Sequence, residues 1–146
     1  MMDALVGSAE QLLVRDGEFH PFAAILCEDG RVQEVASAPP SPGGPDLVGR
    51  LVASLQARAV QSEQVRAACI VALVSVERPG TQQAVDAIRM ALDHRQGYAA
   101  HVFFPYRLRS DEANAGEPAR PREVILGEAF ATRGVSFAFR GERYPG

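Results

Sequence analysis

Residues 88–104 read Ile88-Arg89-Met90-Ala91-Leu92-Asp93-His94-Arg95-Gln96-Gly97-Tyr98-Ala99-Ala100-His101-Val102-Phe103-Phe104, and the way this stretch folds back on itself decides the architecture. Ile88, Met90 and Leu92 alternate with Arg89 and Asp93, the period of a strand with one apolar face. Because that period is two, the length of the turn dictates which residues of the returning strand share the face. A three-residue loop, Arg95-Gln96-Gly97 with Gly97 left-handed, sets Leu92 opposite Ala100, Met90 opposite Val102 and Ile88 opposite Phe104. Loops of two or four residues would set the apolar series against His101, Phe103 and Pro105. The three-residue register joins both apolar sets on one side and sends His94 and His101 to opposite faces.

Working outward, Val65 to Val76 is almost wholly apolar on both faces and rich in β-branched residues, as a buried central strand requires. Arg78-Pro79-Gly80 stops it. Upstream, Pro45 and Asp46 open a helix whose Leu47, Val48, Leu51, Val52, Leu55 and Ala59 form one stripe against Arg50, Gln56, Arg58 and Gln61. This helix is expected on the sheet face that carries the Ile88 series. Ala38-Pro39-Pro40-Ser41-Pro42-Gly43-Gly44 continues neither ladder nor helix, so residues 37–45 read as a flexible linker within one domain.

Earlier still, Phe19 to Cys27 reads as an interior strand and Val32 to Val35 as a more exposed, edge-like one. Between them, Asp29-Gly30 signals a two-residue type I′ hairpin, with positive φ at both positions. Leu5, Ala9, Leu12 and Leu13 at helical spacing, with Asp3 as cap, make a helix of roughly the first fourteen residues, ended by Asp16-Gly17. Downstream, residues 110–122 are polar, Pro-containing and aperiodic, a flexible surface loop. Val124 to Ala131 reads equally as strand or short helix, and Val135 to Phe139 alternates as a strand. Together the elements predict the α+β class: one domain over 1–146, an antiparallel sheet of five to seven strands with two helices packed on it.

Composition agrees and excludes several activities. With 146 residues, 47% hydrophobic and 23% charged, the chain suits one soluble domain. All fifteen basic residues are Arg, which removes Schiff-base chemistry, a P-loop lysine and a Ser-Lys dyad. A net charge of −3 disfavours nucleic acid held across a broad cationic face. Cys27 and Cys69 sit in apolar runs as core thiols, without a secreted-type disulfide framework. Met1 to Val6 shows no signal-like pattern and nothing downstream is long and apolar enough to span a membrane, so a cytoplasmic bacterial protein is expected.

Gly17-Glu18-Phe19-His20-Pro21-Phe22, Phe103-Phe104-Pro105-Tyr106-Arg107-Leu108 and Gly127-Glu128-Ala129-Phe130 together resemble an uncharacterised bacterial single-domain family. The resemblance spans most of the chain, implies a single α+β domain and brings no assigned activity. The order of elements also resembles profilin-like and roadblock-like modules, an analogy of fold only.

Candidate chemistry is sparse. Glu18 and His20 lie one residue apart at a strand entrance, on one face in regular β geometry, as an acid/base pair would be; a polar strand entrance has the same letters. Asp93, His94 and His101 are metal-ligand types, but the register separates the histidines and a site needs three or four converging groups, so no metal is expected. Asp111, Glu112 and Glu117 fit no calcium loop, and Gly43-Gly44-Pro45-Asp46 lacks any phosphate-loop pattern. Arg133, Arg140 and Arg143 interleave with Phe137, Phe139 and Tyr144, the materials of a single-strand stacking platform or of a strand with one buried aromatic face.

The reading that follows is a non-catalytic binding or protein-interaction module, regulatory or immunity-type, without cofactor or membrane. It would contact a protein partner or a second copy through a strand edge or the patch at Phe103, Pro105, Tyr106 and Arg107. The alternatives are a small hydrolase-like enzyme using Glu18, His20 and His101, and a weak single-stranded nucleic-acid binder.

Overall fold

Two local signals set the helices of the computed structural model, which describes residues 1–37, 39–109 and 123–139. Helix α1 (Met2–Asp16) buries Leu5, Ala9 and Leu13, one residue per turn, and ends where Gly17 turns left-handed and donates its amide to Leu13 O at 2.8 Å. Asp3 is not its cap: Met1 holds that position, and Asp3 lies inside the first turn, where its charge favours the helix dipole. Helix α2 (Leu47–Gln61) is capped as read, with the Asp46 carboxylate accepting from Gly49 N at 2.8 Å. Its buried stripe is Leu51, Leu55 and Ala59, and each buried leucine contributes about 2 kcal/mol.

The strands are β1 (Phe22–Cys27), β2 (Val32–Val35), β3 (Val65–Glu77), β4 (Ala84–His94), β5 (Tyr98–Arg109), β6 (Glu123–Leu126) and β7 (Phe130–Arg133). They pair antiparallel throughout in the order β2-β1-β3-β4-β5-β6, with β7 also on β5, beside its first half. Residues 123–131 thus supply two short strands rather than a helix. The β4–β5 hairpin has the register read from the sequence: Leu92 faces Ala100, Met90 faces Val102, Ile88 faces Phe104, and Gly97 has φ 107°.

The first hairpin differs. Gly30 alone is left-handed, Cys27 O accepts from Gly30 N, and Cys27 N donates to Arg31 O. This is a three-residue loop, a turn closed by one left-handed glycine, which spares Asp29 the positive φ that a type I′ turn would demand. The Asp29 carboxylate instead accepts from Arg31 N at 2.9 Å. Phe19 to Pro21 also lie outside the ladder, because β1 begins at Phe22.

Both sheet faces are covered, each by one helix. Ala24, Cys69, Val71, Ile88 and Met90 pack against Leu5, Ala9 and Leu13 of α1, whereas Ala23, Ile25, Ala68, Ile70 and Ala91 pack against Leu51, Leu55 and Ala59 of α2. The expectation that α2 covers the Ile88 face is therefore corrected: α1 does. Helix α2 belongs to the crossover from β2 to β3, two strands that flank β1, and such crossovers have a fixed hand. Topology chooses the face of α2; β1 and β3, apolar on both sides, cannot. Among the described residues no helix is long and apolar enough to cross a membrane.

Val135 to Phe139 is not a strand. The chain leaves β7 at Gly134, where any Cβ would stand 2.9 Å from Ala100 N, and crosses onto the α2 face. There Asp93 Oδ2 accepts from Ser136 Oγ and from the amides of Phe137, Ala138 and Phe139, at 2.8, 2.8, 2.8 and 3.2 Å. The neighbours of Asp93 across the ladder are Ala68 and Ala99, small enough to leave this segment room. Arg95 completes the lock: it donates to Val65 O, to Ala59 O and Ser62 O at the end of α2, and lies 4.7 Å from the Phe139 ring centre.

Asp93 is 0% exposed, so its removal strands several donors in the interior. Asp93→Asn is expected to cost about 3 kcal/mol and Ser136→Ala, which loses one neutral bond, about 1 kcal/mol. Urea unfolding midpoints check the ranking, and hydrogen exchange at Phe137 and Ala138 should accelerate in Asp93→Asn alone.

Candidate functional site

Two open clefts gather the residues that carry chemistry. The first, of about 510 Å³, lies where the β3–β4 turn meets β5 and the end of β6, and is bounded by Arg78, Asp86, Pro105, Tyr106, Arg107 and Gly127 among others. The second, of about 550 Å³, lies between the end of α1 and the edge strand, bounded by Arg15, Asp16, Glu18, His20, Phe22 and Glu34 among others.

In the first cleft the ladder does the positioning. Ala87 faces Pro105 across β4–β5 and Tyr106 faces Leu126 across β5–β6, so Asp86 comes next to Tyr106. Burial first, and the Asp86 charge second, hold the Tyr106 phenol above its ordinary range; at neutral pH it is an O–H donor. Gly127 donates its amide to Pro105 O at 2.7 Å. Arg78 reaches over this junction, its Nη2 standing 3.8 Å from where a Cβ on Gly127 would be. Neither Arg78 nor Arg107 has a carboxylate partner among the described residues.

Pro105, Tyr106 and Arg107 therefore share this cleft, but Phe103 does not. It is 8% exposed and stacks on Phe130 with ring centres 5.0 Å apart. Pro105 is itself buried, so the open aromatic patch expected there is replaced by a cleft rimmed with polar groups. Reading the hairpin register two pairs beyond Phe104 would have placed Asp86 beside Tyr106. Arg78, read only as part of a turn, had no such signal.

Glu18 and His20 both line the second cleft and both are exposed. They precede β1, so the same-face argument from strand geometry does not apply to them. Asp16 in the same cleft is bound to Arg15 at 2.9 Å. His101 does not join this pair: it lies on β5, with β3 and β4 between it and β1, roughly 14 Å away at ordinary strand spacing. It is also on the face opposite Met90 and Val102. Asp93, His94 and His101 do not converge either, because Asp93 is spent on the 136–139 segment and His94 stacks on Tyr98 at 4.6 Å.

Of the expected stacking platform, Phe139 is buried in the core at 1% exposed, so its ring has no free face for bases, and Phe137 is half-buried against the same core. Arg140, Arg143 and Tyr144 lie outside the described residues, as do Asp111, Glu112, Glu117 and the rest of the 110–122 loop. Cys27 and Cys69 are free and buried on opposite faces of the sheet, and burial pushes the Cys69 thiol up to about 12, which leaves it inert as a nucleophile. No protein-family model matches the chain, and no curated protein or solved structure matches it.

Burial first, and the charge of Arg89 second, hold His101 below its ordinary value. The unfolded chain then takes up a proton first as pH falls below about 6.5. Stability on this account is complete above that pH and declines as pH drops through the folded value. His101→Gln is expected to lessen the loss of urea resistance between about pH 7.5 and pH 5.5; an identical loss in both proteins would contradict it.

Proposed function

We propose that this chain is a non-catalytic protein-interaction module, of regulatory or immunity type, that engages its partner through the cleft at Pro105, Tyr106 and Arg107. One observation carries the reading: these residues form one wall of a single open cleft in which an apolar surface, Val85 and Ile125, lies beside arginines that have no carboxylate partner among the described residues. An apolar centre with a polar, arginine-bearing rim is the anatomy of a protein interface. A cytoplasmic setting belongs to the same reading, with Cys27 and Cys69 as core thiols.

A photo-crosslinking residue in place of Gln83, which lines the cleft, tests the proposal inside the source cells. Discrete adducts with another polypeptide are expected, a second copy of the chain included. The same residue in place of Val60, which is 81% exposed on α2, should give none. Equal yields from both positions, or none from Gln83, would overturn the reading.

A second reading, hydrolase-like chemistry at Glu18 and His20, draws support from their shared cleft with Asp16 and Glu34. It ranks lower because neither residue is hydrogen-bonded to a neighbour that would orient it, among the described residues. It requires turnover of an activated ester that disappears in His20→Gln, and turnover that survives the substitution refutes it.

A further inference from the structure

We infer that the cleft between the β3–β4 turn and the β5–β6 end takes an acidic, partly apolar peptide segment, whose carboxylates pair with Arg78 and Arg107. The inference rests on the interaction-module reading and deepens it by naming the partner's chemistry. Two arginines, Arg78 and Arg107, line the cleft against one acidic residue, Asp86, an excess of positive charge within a chain whose formal charge is −3. A guanidinium presents paired donors that match a carboxylate in a two-bond fork. Arg107 and Arg78 have no such carboxylate among the described residues, so both forks are open to a ligand.

The remaining wall selects the kind of anion. Val85, Pro105, Ile125 and Leu126 give the cleft an apolar side, which a free phosphate would leave uncovered and an extended peptide with alternating acidic and apolar side chains would fill. Nucleic acid, by contrast, is held by a run of cations along successive phosphates, and two arginines beside an aspartate do not make one. The floor is open at Gly127. A Cβ there would stand 3.4 Å from Pro105 Cβ and 3.8 Å from Arg78 Nη2, so a larger side chain would crowd the space beside the Arg78 guanidinium while leaving the charges in place.

Fluorescence anisotropy on the full chain tests this with three labelled probes. They are a peptide alternating Leu with Glu and Asp, its Gln and Asn counterpart, and a single-stranded oligonucleotide. The acidic peptide is expected to bind best and to weaken as salt rises. Affinity should fall about tenfold or more in the Arg78→Gln/Arg107→Gln double variant, the loss of two charge-assisted contacts. Gly127→Val should weaken it without any change of charge. An Arg31→Gln/Arg133→Gln variant, equal in charge but outside the cleft, should keep wild-type affinity.

Equal losses in the two double variants would reduce the effect to overall charge and overturn the inference. A preference for the oligonucleotide, or equal binding of the neutral peptide, would overturn it as well. Crosslinks from position 83 without acidic-peptide binding would refute the acidic ligand and leave the interaction module standing. Absence of both would refute the two together.

Discussion

The buried carboxylate of Asp93 is the constraint on which the α2 face depends. A charge with no solvent exposure is tolerable only where donors replace water, and here a hydroxyl and three successive amides of residues 136–139 do so. That requirement draws an irregular segment across the sheet and seats Phe139 in the core. Arg95, two residues on, closes the α2 carbonyl end over the same ring. One turn of one hairpin thus ties together a helix, the central strand and the segment that leaves β7.

The sheet tolerates helices on both sides because its central strands are apolar on both sides. Ile70 and Ala68 meet α2, while Cys69 and Val71 meet α1. This double coverage consumes the cysteines and most of the large aliphatic residues as packing. Chemistry is left to the ends of the strands and the sheet edge, where both clefts lie. The stretches 17–22, 103–108 and 127–130 fall at these places too: Glu18 and His20 line one cleft, Pro105, Tyr106 and Gly127 the other, and Phe103 stacks on Phe130. Their aromatic members pack, and their polar members form rims.

Much of the site was legible in part. Pro105, Tyr106 and Arg107 stood out as aromatic and cationic residues on a strand, and they do share one cleft. The pairing of Glu18 with His20 survives as proximity in the other, without His101. Phe103 misled because an aromatic residue in an alternating strand is written with the same letter whether its face is open or, as here, covered by Phe130. Arg78 and Gly127 belong to the first cleft only through contacts between segments some fifty residues apart, which no local pattern encodes.

By itself the sequence determined the two helices, the five strands before residue 110 and the β4–β5 register, since a period of two and a three-residue turn admit only one way to join Ile88, Met90 and Leu92 with Phe104, Val102 and Ala100. Helix α2 and the stop at Gly17 were equally local, being matters of capping and left-handed backbone. Only the tertiary structure decided which helix covers which face, because β1 and β3 offer apolar side chains to both and the hand of the β2–α2–β3 crossover breaks the tie. It also decided that Val135 to Phe139, alternating like a strand, abandons the ladder: the amides of that segment meet the buried charge of Asp93 instead, and an electrostatic demand from more than forty residues away outweighs local periodicity.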